Sequence, residues 1–160
     1  MANGKFFNPA NFSSRPCAVT FNSKVLGGTD GPVNISCEEE TQEISCNQAR
    51  GAVLQKIVTR ITVTVKARFK EINNALGVLL ENNSVSSKDL GTDRLNPAKA
   101  KTLVLSEIGG SRIITLPKAF IEKSFNYELD GEQDHGVELT FTAVSVPGKA
   151  AQDLLKVSNS

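Results

Sequence analysis

The chain has 160 residues, 39% hydrophobic and 22% charged, enough for one domain with a sizeable core and too apolar for wholesale disorder. Its formal net charge of +1 excludes a global attraction to nucleic acid or to an anionic membrane, so any charge logic is local. No apolar run is long enough to span a bilayer, and MANGKFFNPANF lacks a signal-peptide core, so a cytoplasmic site of synthesis and first use is expected.

Residues 1–16 read as an irregular N-terminal arm whose Phe6, Phe7 and Phe12 are expected to dock on the parent domain or a neighbour. CAVTFNSKVL, 17–26, reads as a strand with Cys17, Val19 and Phe21 on one face, and GGTDGP, 27–32, is turn chemistry. Val33, Ile35 and Cys37 alternate in a second strand, whereas EEETQE is too acidic to be buried and reads as the tip or solvated part of a long hairpin. ARGAVLQK, 49–56, leaves loop, short helix and strand open. In RITVTVKARF, Ile61, Val63, Val65, Ala67 and Phe69 alternate with Arg60, Thr62, Thr64, Lys66 and Arg68, a strand with one core face and one wet face. The period then changes: Ile72, Ala75, Leu76 and Leu79 form one apolar face of a helix over 71–81, which Gly77 weakens by about 1 kcal/mol relative to Ala.

Residues 82–98 read as a polar surface loop. KTLVLSEI and SRIITLP, joined by Gly109-Gly110, read as a hairpin. KAFIEKSFNYELD and GVELTFTAVSV read as the last strand pair, with Phe125, Tyr127 and Leu129 facing the core, and 147–160 as a C-terminal tail, mobile or docked. The chain is thus read as one mainly β domain over 17–146, with about seven or eight antiparallel strands and one flanking helix.

Signals of chemistry are weak. His135 is the only histidine, and Glu128, Asp130, Glu132, Asp134 and Glu138 surround it. Strand parity divides them: Glu128, Asp130 and Glu138 join a polar β-face with Glu122, while Glu132, Asp134 and His135 sit in a glycine-flanked turn, where little fixes the imidazole. The spacing is not that of an EF-hand, and no second histidine exists to complete a zinc site. Nucleophile-elbow, P-loop, dinucleotide and H-E-x-x-H motifs are absent, so neither catalysis, metal nor cofactor is expected. Arg60, Lys66, Arg68 and Lys70 form a basic stripe without the exposed aromatics of a single-strand binder; a solvated or subunit-facing surface is the plainer reading. Cys17, Cys37 and Cys46 lack C-x-x-C spacing and read as buried free thiols, with a Cys37–Cys46 bridge left open if their segments form a hairpin.

The order of parts is more informative: a long hairpin, then RITVTVKARF, then at once the helix KEINNALGVLL, then a β-rich half closing in DHGVELTFTAV. Over most of 17–146 this resembles the tail tube (major tail) proteins of long-tailed bacteriophages, related to type VI secretion tube proteins. The resemblance implies a β-sandwich or partial barrel with one outer helix. It implies hexameric rings stacked into a tube, whose joined sheets form an inner barrel that passes DNA. A wall that lets DNA slide is expected to be negative or neutral. Its candidate lining is Glu122, Glu128, Asp130, Glu138, Thr140, Thr142, Thr62, Thr64 and Lys66, with the basic residues of 60–70 either paired with a neighbouring subunit's acids or mixed into the wall. The hairpin 37–58, with Glu38, Glu39, Glu40, Gln42, Glu43 and Arg50, is the first candidate for ring-to-ring contact and the arm 1–16 the second; Ile72, Ala75, Leu76 and Leu79 pack the helix on the sheet. The implied partners are further copies of the chain, tape-measure, terminator and baseplate proteins, a contractile sheath in some tails, and double-stranded DNA in transit, within a virion tail assembled in the host cytoplasm. Two other readings are a monomeric β-sandwich binding module, disfavoured for sugars by 6% aromatic content and no Trp, and an enzyme built on the acidic hairpin.

Overall fold

The alternating segment RITVTVKARF is the C-terminal half of a strand much longer than its alternation indicates. In the computed structural model, which describes residues 16–80, 84–91, 100–129, 131–132, 135–144 and 153–159, β4 runs from Val53 to Phe69. Val63, Val65, Ala67 and Phe69 are buried, while Thr62, Thr64, Lys66 and Arg68 take the other face, as period two requires. Residues Val53 to Ile61 are exposed on both faces. Along this length β4 pairs with β3, Asn34–Ser45, from Asn34↔Lys66 to Ser45↔Val53.

EEETQE is therefore the solvated part of this long hairpin, the middle of β3, and not its tip. A 3-10 turn at Asn47–Ala49 makes the tip, with Arg50 (φ 53°) and Gly51 (φ 77°) left-handed. ARGAVLQK thus divides between turn and strand.

The other strands are β1 (Cys17–Phe21), β2 (Lys24–Gly27), β5 (Lys101–Glu107), β6 (Arg112–Ile121), β7 (Asn126–Glu128), β8 (Gly136–Ala143) and β9 (Lys156–Asn159), with α1 at Ile72–Leu79. They make one nine-stranded antiparallel sheet in the order β2-β1-β5-β6-β8-β4-β3; β7 pairs with β8 and β9 with β6. The β5–β6 hairpin forms across Gly109-Gly110 as expected. KAFIEKSFNYELD is not one strand. Ala119 to Ile121 finish β6 and pair with the far end of β8, which leaves only Gly136–Glu138 for a three-residue β7. Leu129 is consequently 72% exposed rather than in the core, Phe125 is exposed, and Tyr127 half-buried. Within the tail, β9 docks on Arg112–Thr115, in line with β8 along the same edge of β6. The arm 1–16 (apart from Pro16), residues 145–152 and most of the 82–98 loop lie outside the described residues.

The sheet curls around one core. Phe21 of β1 and Phe141 of β8 meet with ring centroids 5.3 Å apart, although β5 and β6 lie between their strands in the sheet. The sheet is not closed into a barrel. Its ends approach at an isolated Thr29↔Phe69 bridge, where the Asp30 N–H donates to Arg68 O (2.8 Å) and the Lys70 N–H to Gly28 O (3.0 Å). Helix α1 packs against β2 and β8 and buries Ala75 and Leu79, with Leu76 alongside. Ile72 is half-buried and turns to a surface depression instead. Glu71 fastens the helix start: its Oε1 accepts from the Gly28 N–H (3.2 Å), and its carboxylate occupies the place a Cβ at Gly27 would take.

Phe141→Ala removes a fully buried ring that bridges two sides of the core. The expected cost is about 3–5 kcal/mol by equilibrium urea unfolding; a loss below about 1 kcal/mol would contradict this packing.

A candidate assembly surface

Register brings most of the polar β-face together. Thr64 lies between Ser36 and Thr142, Lys66 between Asn34 and Thr140, and Arg68 beside Glu138. Thr62 continues the row toward Glu38. Glu122 follows β6, where Thr142 Oγ1 donates to its Oε1 at 2.9 Å. Glu128 stands opposite Gly136 on β7. Thr62, Thr64, Lys66, Glu122, Glu128, Glu138, Thr140 and Thr142 thus share one side of the sheet, and Asp130 lies outside the described residues. Phe120, opposite Thr142 and nearly buried, marks where this side turns apolar.

Three members of the basic stripe, Arg60, Arg68 and Lys70, meet carboxylates of their own chain, as does Lys56 farther along β4, whereas Lys66 is flanked by Asn34 and Thr140. Lys56 meets Glu43 (3.2 Å), Arg60 meets Glu40 (3.9 Å), and Lys70 meets Asp30 (3.8 Å). Arg68 is held twice, by Asp30 Oδ2 at 3.4 Å and Glu128 Oε2 at 3.2 Å. Exposed pairs of this kind contribute at most about 1 kcal/mol each, so their main effect here is to neutralise the surface. Asp30 sits in a turn remote in sequence, and alternation gave no signal of its part in this cluster.

The predicted stacking residues lie on a projecting hairpin. Past Thr64 the other edge of β4 has no strand partner among the described residues, so β3 and β4 continue as a two-stranded arm. Glu38, Glu40 and Gln42 face one side and Glu39 and Glu43 the other, so the acidic run forms no single patch. Arg50 is at the tip. Ile61, Val58 and Val53 share the side of Glu39 and Glu43, and Ile57 and Ile44 the opposite side. Each is between 40% and 48% exposed. These apolar positions are the strongest feature the sequence reading missed; the adjacent Ile57 and Val58 in a polar segment are the signal that was there. Thr59 is bulged out of the pairing, and its Oγ1 donates to Glu40 O (3.1 Å).

His135 is better held than a turn tip implies: its Nδ1 shares a 3.2 Å hydrogen bond with Tyr127 OH, and the two rings meet edge to face. Asp134 lies outside the described residues. Among the described residues no group of three His, Cys, Asp or Glu side chains is placed to hold a metal ion.

No family model matches the chain, and no curated protein does. Solved structures do match over nearly its whole length. A chain of the extracellular contractile injection system PVC sheath/tube terminator in the extended state aligns at TM-score 0.55 and 13% identity, over 96% of this chain and 99% of that one. A chain of the PVC sheath-tube complex aligns at 0.50 and 13%, over 92% and 91%, and one of the anti-feeding prophage tube-terminating cap at 0.50 and 11%, over 100% of both. At these identities the likeness is one of fold.

The arm also decides the cysteine chemistry. Cys37 and Cys46 flank nine residues' length of β3, about 30 Å at a rise of about 3.3 Å per residue, too far for a disulfide. All three thiols are free, and Cys37 is exposed rather than buried. Cys17 is half-buried, and desolvation together with the Glu107 charge raises its thiol pKa. Iodoacetamide treatment of the native monomer, followed by peptide mass mapping, is expected to label Cys37 first and Cys17 last. Preferential labelling of Cys17 would contradict these environments.

Proposed function

We propose that this chain is a structural subunit of a tail tube, forming hexameric rings that stack around a channel through which DNA passes during ejection. The observation that carries the reading is the arm. A two-stranded ribbon with apolar side chains on both faces and no third layer among the described residues is marginal by itself, so in this reading it is built to be covered by another chain. A further copy is the simplest occupant, with Val53, Val58 and Ile61 on one side and Ile44 and Ile57 on the other as anchors, and Glu38, Glu39, Glu40, Gln42, Glu43 and Arg50 forming a polar rim. The polar side of β4 and β8 lines the channel in this reading, and α1 lies outside. The shared fold of the injection-system chains supports a tube role. Tape-measure, terminator and baseplate proteins, and a sheath where the tail is contractile, are the expected partners.

The alternative is a tube subunit of the type VI secretion kind, a reading that the shared fold of the contractile injection system chains also supports. A monomeric β-sandwich binding module of a virion is the reading that tubes in the imaging below would exclude.

Negative-stain imaging of the concentrated protein is expected to show rings and tubes of regular repeat. Val58→Lys with Ile57→Lys is expected to abolish tubes while moving the monomer's unfolding free energy by no more than about 0.5 kcal/mol, because both sites are exposed. A wild-type chain that stays monomeric at every concentration would sink the proposal.

A further inference from the structure

A channel that passes DNA has a specific difficulty with Arg68. Its guanidinium stands on the same side of the sheet as Thr64, Lys66, Glu138 and Thr140, and a bare Arg there would bind phosphate and slow the strand. The side chain is not bare. Glu128 Oε2, from β7, accepts from Nη2 at 3.2 Å, and Asp30 Oδ2, from the turn after β2, meets Nη1 at 3.4 Å. The two carboxylates therefore approach different guanidinium nitrogens from two different elements.

The seat beneath is equally specific. Gly136, at the start of β8, is buried, and a Cβ built there would run into the Arg68 Nε, Cζ and Nη2 atoms. Gly136 is not in a left-handed conformation, so its backbone would accept any residue. What the missing side chain makes room for is the guanidinium, lying where it reaches Glu128 across the β7–β8 pair.

We infer that Asp30, Glu128 and Gly136 form a charge mask over Arg68, which keeps a cation of the candidate channel wall from engaging DNA phosphates. The inference rests on the tube reading for its biological meaning, but its physical content is a property of the single chain. Glu128→Gln removes one half of the mask. Gly136→Ala displaces the flexible end of Arg68 without changing any charge.

The test is binding of a short linear duplex DNA, followed by fluorescence anisotropy at stepped salt concentrations on the full-length chain. Wild type is expected to bind weakly. Glu128→Gln and Gly136→Ala are each expected to tighten binding by roughly tenfold at low salt and to steepen the slope of log affinity against log salt by about 0.9, the signature of one more phosphate contact. Adding Arg68→Gln to either variant is expected to return both quantities to the Arg68→Gln level. No change in slope in either variant overturns the inference. So does a gain that survives Arg68→Gln, because lost carboxylate repulsion would then be the cause. Thermal melting of Gly136→Ala guards against misfolding. Imaging the same preparations separates the two ideas: tubes with unchanged DNA slopes overturn the mask alone, whereas no tubes at any concentration overturns the tube reading while the slopes still decide the mask.

Discussion

Period-two alternation along a single strand, β4, constrains almost everything else in this chain. Its residues 63–69 send every second side chain into the core, and its partner β3 carries the same parity without interruption out to Ser45. The core face of the body and the Val53–Val58–Ile61 face of the arm are therefore one continuous surface. The polar side of β4 and β8 continues in the same way into the side of the arm that bears Ile44 and Ile57. A slip of one residue between β3 and β4 would exchange these surfaces, so core burial in the body fixes what the arm offers to another molecule.

The edge of β3 that has no strand partner among the described residues shows how such a long strand avoids promiscuous pairing. Twelve residues of strand with one unpaired edge are an aggregation hazard. Glu38, Glu39, Glu40 and Glu43 lie along it, so two β3 edges brought together would set carboxylates against carboxylates. That disfavours a symmetric pairing of like edges and favours head-to-tail contact, the geometry from which rings are made. The acidity that marked EEETQE as the tip or solvated part of a hairpin also protects an edge.

Sequence patterns revealed the body well and the arm poorly, for identifiable reasons. Val63 to Phe69 alternate because one side faces a core and the other water, and Ala75 and Leu79 recur at helical spacing because α1 covers that core. Val53 to Val58 do not alternate, because neither side of the arm is buried in the monomer. Phe125, Tyr127 and Leu129 do alternate, but the edge of β8 is already occupied by the end of β6, so only three residues find partners. The parity that grouped Glu128 with Glu138 was informative. The contacts of Arg68 with Asp30 and Gly136 were not readable, since they depend on where the ends of a curled sheet meet.

The unbroken run of β4 from core to arm also has a mechanical meaning. Most protruding elements are joined to their domain by loops, which act as joints. Here the seventeen residues of β4 make a single strut, about 55 Å long at a rise of about 3.3 Å per residue, with one end clamped in the core. A load on the far end is carried as bending of a hydrogen-bonded ribbon and reaches Val63 and Val65 directly. The irregularities at Thr59 and, near the tip, at Leu54 are where that strut can flex, so the arm behaves as a stiff lever with two compliant points along its length.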